Sequence, residues 1–250
     1  MRLRTILLVA VLSLAAACGE ATSATTAAPA GDGPATPVAL WGAEGGFVTP
    51  TVNVLRPPRV VLYGDGLVVA DASRQLRLTD AETVGTVAAM ERYLTGQPPT
   101  ARPSPGAPSV ADVPATVLAV RGKDGKMREV RAEALEQVAE FYPRELMDAK
   151  KLMEGLAARA GTEGTAYTAP RVRMVAEGVD SAEGKPARWP AKVPEPDGPA
   201  DPVWRKDLDG EAASALAKAV PAGQDHGRPI FKTASGKVFV LSWRYLLPDE

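Results

Sequence analysis

Two stretches, QPPTARPSPGAPSVADVP at residues 97–114 and the proline- and glycine-rich run at 178–203, cut the chain into blocks that no long helix or inner strand can cross. Proline lacks an amide hydrogen and holds φ near −65°, so it breaks helices and is confined to the edges of sheets. Both stretches are therefore expected as irregular surface connections. The sequence between and beyond them must fold as short elements.

Those elements alternate. PPRVVLYGDGLVVADA reads as a β-hairpin, with Val60–Tyr63 and Leu67–Val69 either side of a Gly64-Asp65-Gly66 turn. A helix follows, because Thr79 and Glu82 have the spacing of a capping box, and Val84, Val87, Ala88, Met90 and Leu94 recur at helical intervals up to Gly96. After the first proline-rich stretch the order returns: Ala115–Arg121, a GKDGK turn, Met127–Arg131, then a helical region over 132–160 that Pro143 interrupts. In its second piece Leu146, Ala149, Met153, Leu156 and Ala160 share one face. Further on, Arg171–Ala176 reads as a strand, Gly210–Val220 as a short helix, and Ile230–Thr233 with Lys237–Tyr245 as a third hairpin. Antiparallel hairpins alternating with helices define an α+β fold, expected as one domain over residues 41–250.

The chain has one cysteine, and its position is informative. Arg2 and Arg4 precede an apolar stretch from Ile6 to Ala17 that is too short to span a bilayer but has the form of a secretory signal peptide, residues 1–17. Ala15 and Ala17 satisfy the A-x-A rule, and Ala15-Ala16-Ala17-Cys18 resembles a bacterial lipobox, with Ala15 where Leu is usual. Both put the cut before Cys18. A lone exposed thiol at that point is a liability unless acylated, so Cys18 is expected as the lipid-attachment residue. The Thr/Ala/Pro-rich run that follows has too little apolar surface to order itself and is expected as a flexible tether over 18–40, spanning a few tens of Å.

Composition narrows the partners. Loss of Arg2 and Arg4 with the signal takes the formal net charge from −1 to −3, and the remaining Lys and Arg are interspersed with acids. That balance argues against nucleic acid and against a polybasic hold on anionic lipid. With aromatics at 5%, the core must be built from Val, Leu, Ala and Met, without a disulfide.

Candidate chemistry is sparse. His226, the sole histidine, stands beside Asp225 in a loop composition with no nucleophile motif, and reads as a solvated loop residue. Asp65 in YGDG and Asp124 in KDGK read as turn formers, since calcium needs six to eight oxygens. Glu133, Glu136 and Glu140 would lie along the wet face of an amphipathic helix. No metal, cofactor or catalytic residue is expected. Trp189 and Trp204, in the proline-rich 178–203 region and just beyond it, would pin that loop to the core or stand out as contacts for a ligand or partner. Trp243 belongs to the last hairpin.

GGFVTPTVNVLRPPRVVLYGDGLVV near the start and GKVFVLSWRYLLPDE at the end resemble the two ends of an uncharacterised family of actinobacterial secreted proteins and lipoproteins. The resemblance implies one domain from about Gly45 onward and carries no activity with it. The expectation is a lipoprotein on the outer face of the cytoplasmic membrane, secreted if the lipobox is not used. Its folded part would be a non-enzymatic module for a protein or cell-envelope ligand. A cell-envelope hydrolase using carboxylates and a structural spacer are the alternatives.

Overall fold

Val60–Tyr63 is apolar at all four positions and buried at all four, as a strand covered on both faces must be. The computed structural model describes residues 35–180, 185–198, 203–221 and 229–250; Cys18, Asp225 and His226 lie outside them. Around this strand, β2, an eight-stranded sheet is assembled. Its members are β1 (Pro37–Glu44), β2, β3 (Leu67–Ala70), β4 (Arg74–Arg77), β5 (Thr100–Ala101), β6 (Ala115–Arg121), β7 (Met127–Glu133) and β8 (Thr165–Ala166). The order is β5-β7-β6-β1-β2-β3-β4-β8, antiparallel except for the parallel β5/β7 pair. The β2/β3 hairpin forms as expected, Gly66 N–H closing its turn on the Tyr63 carbonyl at 3.0 Å.

β1 corrects the expected tether. It lies between β6 and β2 in mid-sheet and fully buries Ala39, and the Thr36 carbonyl accepts the Gly64 N–H at 3.1 Å. Residues 37–40 thus belong to the sheet. The alternation of Val38, Leu40 and the small Ala39 between two apolar partner strands is a pairing signal that single-strand reading does not see.

Helices α2 (Asp80–Leu94) and α3 (Arg144–Thr162) cover one face of this sheet and share a core with Leu62, Val68, Leu118 and Val130. α2 opens with the expected capping box, Thr79 and Glu82 each satisfying the other's backbone N–H. Its buried face is Thr83, Thr86, Met90 and Leu94, while Val84 is 69% exposed. The stripe read from Val84 is therefore rotated: Thr83 folds its hydroxyl back onto the Thr79 carbonyl at 2.9 Å and so enters the core with its polar group satisfied. The α3 stripe of Leu146, Ala149, Met153, Leu156 and Ala160 is buried as expected.

The first half of the expected 132–160 helix is absent. β7 continues to Glu133 in register with Ala115, Ala134 adopts φ +50°, and only a 3-10 turn, Ala139–Phe141, precedes Pro143 at the N-cap of α3. Tyr142 is extended at φ −107°, as the residue before proline should be. Glu133, Glu136 and Glu140 accordingly do not share a helical face.

A second sheet contains β9 (Val172–Gly178), β10 (Ala187–Arg188), β11 (Trp204–Leu208), β12 (Ile230–Lys232) and β13 (Val238–Tyr245), in the order β10-β12-β13-β9-β11. Helix α4 (Gly210–Ala219) packs on one face through Ala213 and Leu216 against Met174, Leu241 and Trp243. Pro34–Glu250 forms one compact unit that holds both sheets.

The sheets are joined by α1 (Pro50–Leu55) and by the closing LLPDE segment. Leu55 packs with Val175 and Val203, and Thr51 Oγ1 donates to Glu177 Oε2 at 2.7 Å. Leu247 and Tyr167 enter a cluster with Val61, Tyr63 and Val69 on the second face of the first sheet. The Tyr63 hydroxyl donates to Asp249 Oδ1 at 2.6 Å, and the Tyr167 hydroxyl to the Leu246 carbonyl at 2.7 Å. Burial foremost, then the Asp249 hydrogen bond and charge, lift the Tyr63 phenol far above its ordinary range; burial and the Glu250 and Asp249 charges push Tyr167 up to about 12.

Glu250 completes the joint. Its carboxylate accepts both Nη groups of Arg244 at 2.6 and 2.7 Å, Arg173 Nη1 at 2.9 Å and the Leu247 N–H at 2.9 Å. Burial pushes this carboxyl up, but the Arg244 hydrogen bonds, the Leu247 N–H and the two guanidinium charges outweigh it and hold it below the usual range. A depressed native pKa stabilises the fold where the carboxylate is ionised in both states. The contribution is full above about pH 4.3 and is lost as pH falls from there through the lower native value. Glu250→Gln should cost about 2–3 kcal/mol at pH 7, because Arg244 keeps a buried charge without its partner. It should also flatten the acid limb of the stability profile, and urea melts from pH 3 to 7 check both. Deleting residues through Val38 should destabilise the fold, whereas deleting only through Pro34 should leave its unfolding midpoint unchanged.

Candidate functional site

Where β1 ends, GGFVTP makes a short, tightly held loop. Gly45 and Gly46 take φ of +66° and +80°, and a Cβ on Gly46 would stand 2.9 Å from Pro114 N, so this close approach needs glycine. The Phe47 N–H donates to the Asp112 carbonyl at 3.0 Å. Thr49 then caps α1, with Pro50 in the first turn, where a missing N–H costs nothing. The loop is pinned at both ends, and Phe47 at its tip is 89% exposed.

Beside it lies an open depression of about 400 Å³ lined by Ala43, Glu44, Gly45, Asn53, Arg56 and Arg131. A smaller recess of about 130 Å³ adjoins it through Ala43 and is lined by Trp41, Arg59, Pro114, Thr116, Glu136 and Gln137, with Gly42. β1 supplies the common wall, α1 contributes Asn53 and its C-cap residue Arg56, and β7 contributes Arg131.

The charges here are only partly compensated. Arg131 pairs with Glu44, and Arg59 with Asp71 at 3.1 Å. Arg56 Nη1 donates to the Gly45 carbonyl at 2.9 Å but has no carboxylate partner among the described residues. Its partial burial, and secondarily the charge of Arg59, lower its pKa from the ordinary guanidinium value, although it stays charged. In the neighbouring recess Lys150 Nζ stands 5.1 Å from the Trp41 ring centroid and pairs with Glu136 at 3.2 Å and with Glu154. Burial pulls Lys150 down, but the two glutamates outweigh it and keep it protonated. That cluster is closed on itself, whereas Arg56 is not.

The tryptophans singled out from the sequence lie elsewhere. Trp204 is buried, 7% exposed, and donates Nε1 to Asp197 Oδ1 at 3.2 Å. Trp189 is half-buried, packs edge-to-face on Phe239 at 5.9 Å and donates to the Val193 carbonyl at 2.9 Å. Both indoles fasten proline-rich segments to the second sheet. Of the two roles the sequence left open for them, this packing is that of core anchors, with Trp204 covered and Trp189 keeping part of its ring exposed. Trp243 is likewise buried, its Nε1 on the Val220 carbonyl at 2.9 Å.

The other candidates are occupied locally. Asp65 accepts from the Leu67 N–H at 3.1 Å and Arg77 at 3.0 Å, and Asp124 accepts from the Lys126 N–H at 3.1 Å, so both serve their turns. Glu136 is the Lys150 partner. Among the described residues no group of three or more His, Cys, Asp or Glu side chains could hold a metal ion, and no helix is long and apolar enough to cross a membrane.

Sequence reading missed Phe47, Arg56 and Arg131. Its available signal was a bulky aromatic between two glycines and a Thr-Pro helix start, in a chain with only four phenylalanines. No protein-family model, curated protein or solved structure matches the chain.

Phe47→Ser should leave the thermal midpoint within about 2 °C, since an exposed side chain contributes within about 0.5 kcal/mol. Trp204→Ala should cost about 3 kcal/mol or more through the cavity it leaves. Paired thermal and urea melts separate the two residues.

Proposed function

We propose that this protein is a membrane-tethered extracytoplasmic lipoprotein, anchored through Cys18 on the outer face of the cytoplasmic membrane, whose folded part is a non-enzymatic binding module for a protein partner. The observation that carries the binding reading is Phe47, 89% exposed on a pinned loop beside the Arg56 depression. An exposed aromatic on a loop pinned at both ends carries apolar area still to be buried. It is what an interface anchor needs, because little conformational entropy is lost on contact. The depression is open and lined by two guanidinium groups, an amide and the Glu44 carboxylate that pairs with Arg131, a recognition chemistry. The single cysteine at the end of an apolar leader and the likeness of the two end stretches to actinobacterial lipoproteins support the anchored location.

Two measurements test this reading. Cys18→Ser should abolish labelling by a fatty-acid analogue and move the protein out of the membrane fraction; persistent labelling would exclude the anchor. A photocrosslinking residue in place of Val48 should yield a discrete adduct in intact cells, absent when the same residue replaces Lys218 on α4. An equal yield from both positions, or none from Val48, would refute a binding face at Phe47.

A further inference from the structure

Resting on that proposed binding face, we infer that the notch at Gly45 recognises a carboxylate of an acidic polypeptide segment, whose adjoining apolar residues pack on Phe47. Two guanidinium groups flank this exposed glycine. Arg56 Nη1 stands 2.9 Å from its carbonyl oxygen, and Arg131 Nη2 lies 3.9 Å from where a Gly45 Cβ would be. No side chain at position 45 fills the space between them, and the Asn53 amide lines the same wall. A carboxylate seated there would accept paired N–H groups in the fork geometry that guanidinium favours. It would also supply Arg56 with the anionic partner that the described residues do not.

The apolar half of the ligand follows from chain geometry. Phe47 is two residues from Gly45, so their Cα atoms are at most about 7 Å apart. An acidic residue at the notch therefore brings its immediate chain neighbours onto the Phe47 ring. A small free carboxylic acid would leave most of its surface in water in so open a depression and would miss the aromatic contact. Charge bookkeeping disfavours a bilayer. Anionic lipid is held by clusters of uncompensated Lys and Arg, whereas Arg59 and Arg131 already carry Asp71 and Glu44 as counterions, leaving Arg56 as the one spare cation among the described residues that line these two recesses. One spare cation suits one carboxylate.

The test titrates the full-length protein with a fluorescein-labelled peptide of repeating Glu-Glu-Phe, read by anisotropy. Controls replace every Glu by Lys or every Phe by Ser, and vesicles of one-third phosphatidylglycerol form a separate arm. The Glu-Glu-Phe peptide should bind at least about tenfold tighter than either control. Arg56→Gln and Phe47→Ser should each weaken it about tenfold with unchanged melting, and Arg56→Lys, which keeps the charge but not the fork, should fall between. Equal affinity for the three peptides, or indifference to Arg56→Gln, overturns the inference, as does vesicle binding that these same substitutions abolish. If crosslinking from Val48 still captures a protein while the peptides are not discriminated, the binding face stands and the acidic-segment inference alone falls.

Discussion

The closing LLPDE segment, fastened to the second sheet where Arg244 and Arg173 grip the Glu250 carboxylate and reaching the first sheet through Leu247 and Asp249, is the contact on which the arrangement of the two sheets rests. The side chain of Arg244 is only 10% exposed, and a guanidinium cannot be dehydrated to that degree without a counter-charge. The segment that brings the counter-charge also buries Leu246 and carries Leu247 into the Tyr63 cluster, while Asp249, past the end of β13 at Tyr245, accepts from the Tyr63 hydroxyl. Five residues thus combine burial, hydrogen bonding and charge pairing. None of these suffices alone, because a buried ion pair rarely repays its own desolvation. The apolar contacts carry the joint, and the charges fix its geometry.

That joint determines what the Gly45–Thr49 loop can do. α1 lies between the sheets, held through Leu55 and through Thr51 on Glu177, so the loop leading into it is fixed at both ends by core structure. A binding aromatic on a floating loop would lose ordering entropy on every encounter; one set between a sheet and a helix does not. The stretches GGFVTPTVNVLRPPRVVLYGDGLVV and GKVFVLSWRYLLPDE are far apart in the chain, yet they meet here. The first supplies α1 and Tyr63, and the second supplies β13 and the Asp249-Glu250 pair.

Much of the local structure was legible because its causes are local. The Thr79/Glu82 box, the Gly64-Asp65-Gly66 reversal and the α3 stripe each depend on residues within a few positions of one another. β1 and β11 were not legible. PVALWGAE and WRKDL have weak alternation of their own and become strands because long-range partners, Val60–Tyr63 and Val172–Ala176, offer them backbone groups. The 132–160 helix was misread for the converse reason: helical spacing of Leu135 and Val138 is real, but pairing with β6 carries β7 on to Glu133 and consumes the first turn.

The candidate site divides along the same line. By itself the sequence determined the α+β class, the capping box and the turns, which follow from composition or from neighbours in the chain, and it raised the expectation of an anchored leader at Cys18. Only the tertiary structure decided that Trp204 is buried while Phe47 is exposed, since exposure depends on which distant surface lies against a side chain. It also decided that Arg56, from α1, and Arg131, from β7, flank one glycine without filling it. Seventy-five positions separate those two arginines, and no local rule links them: their approach is set by the pairing of β7 with β6 and of β6 with β1, and by the packing of α1 at the joint that Glu250 closes.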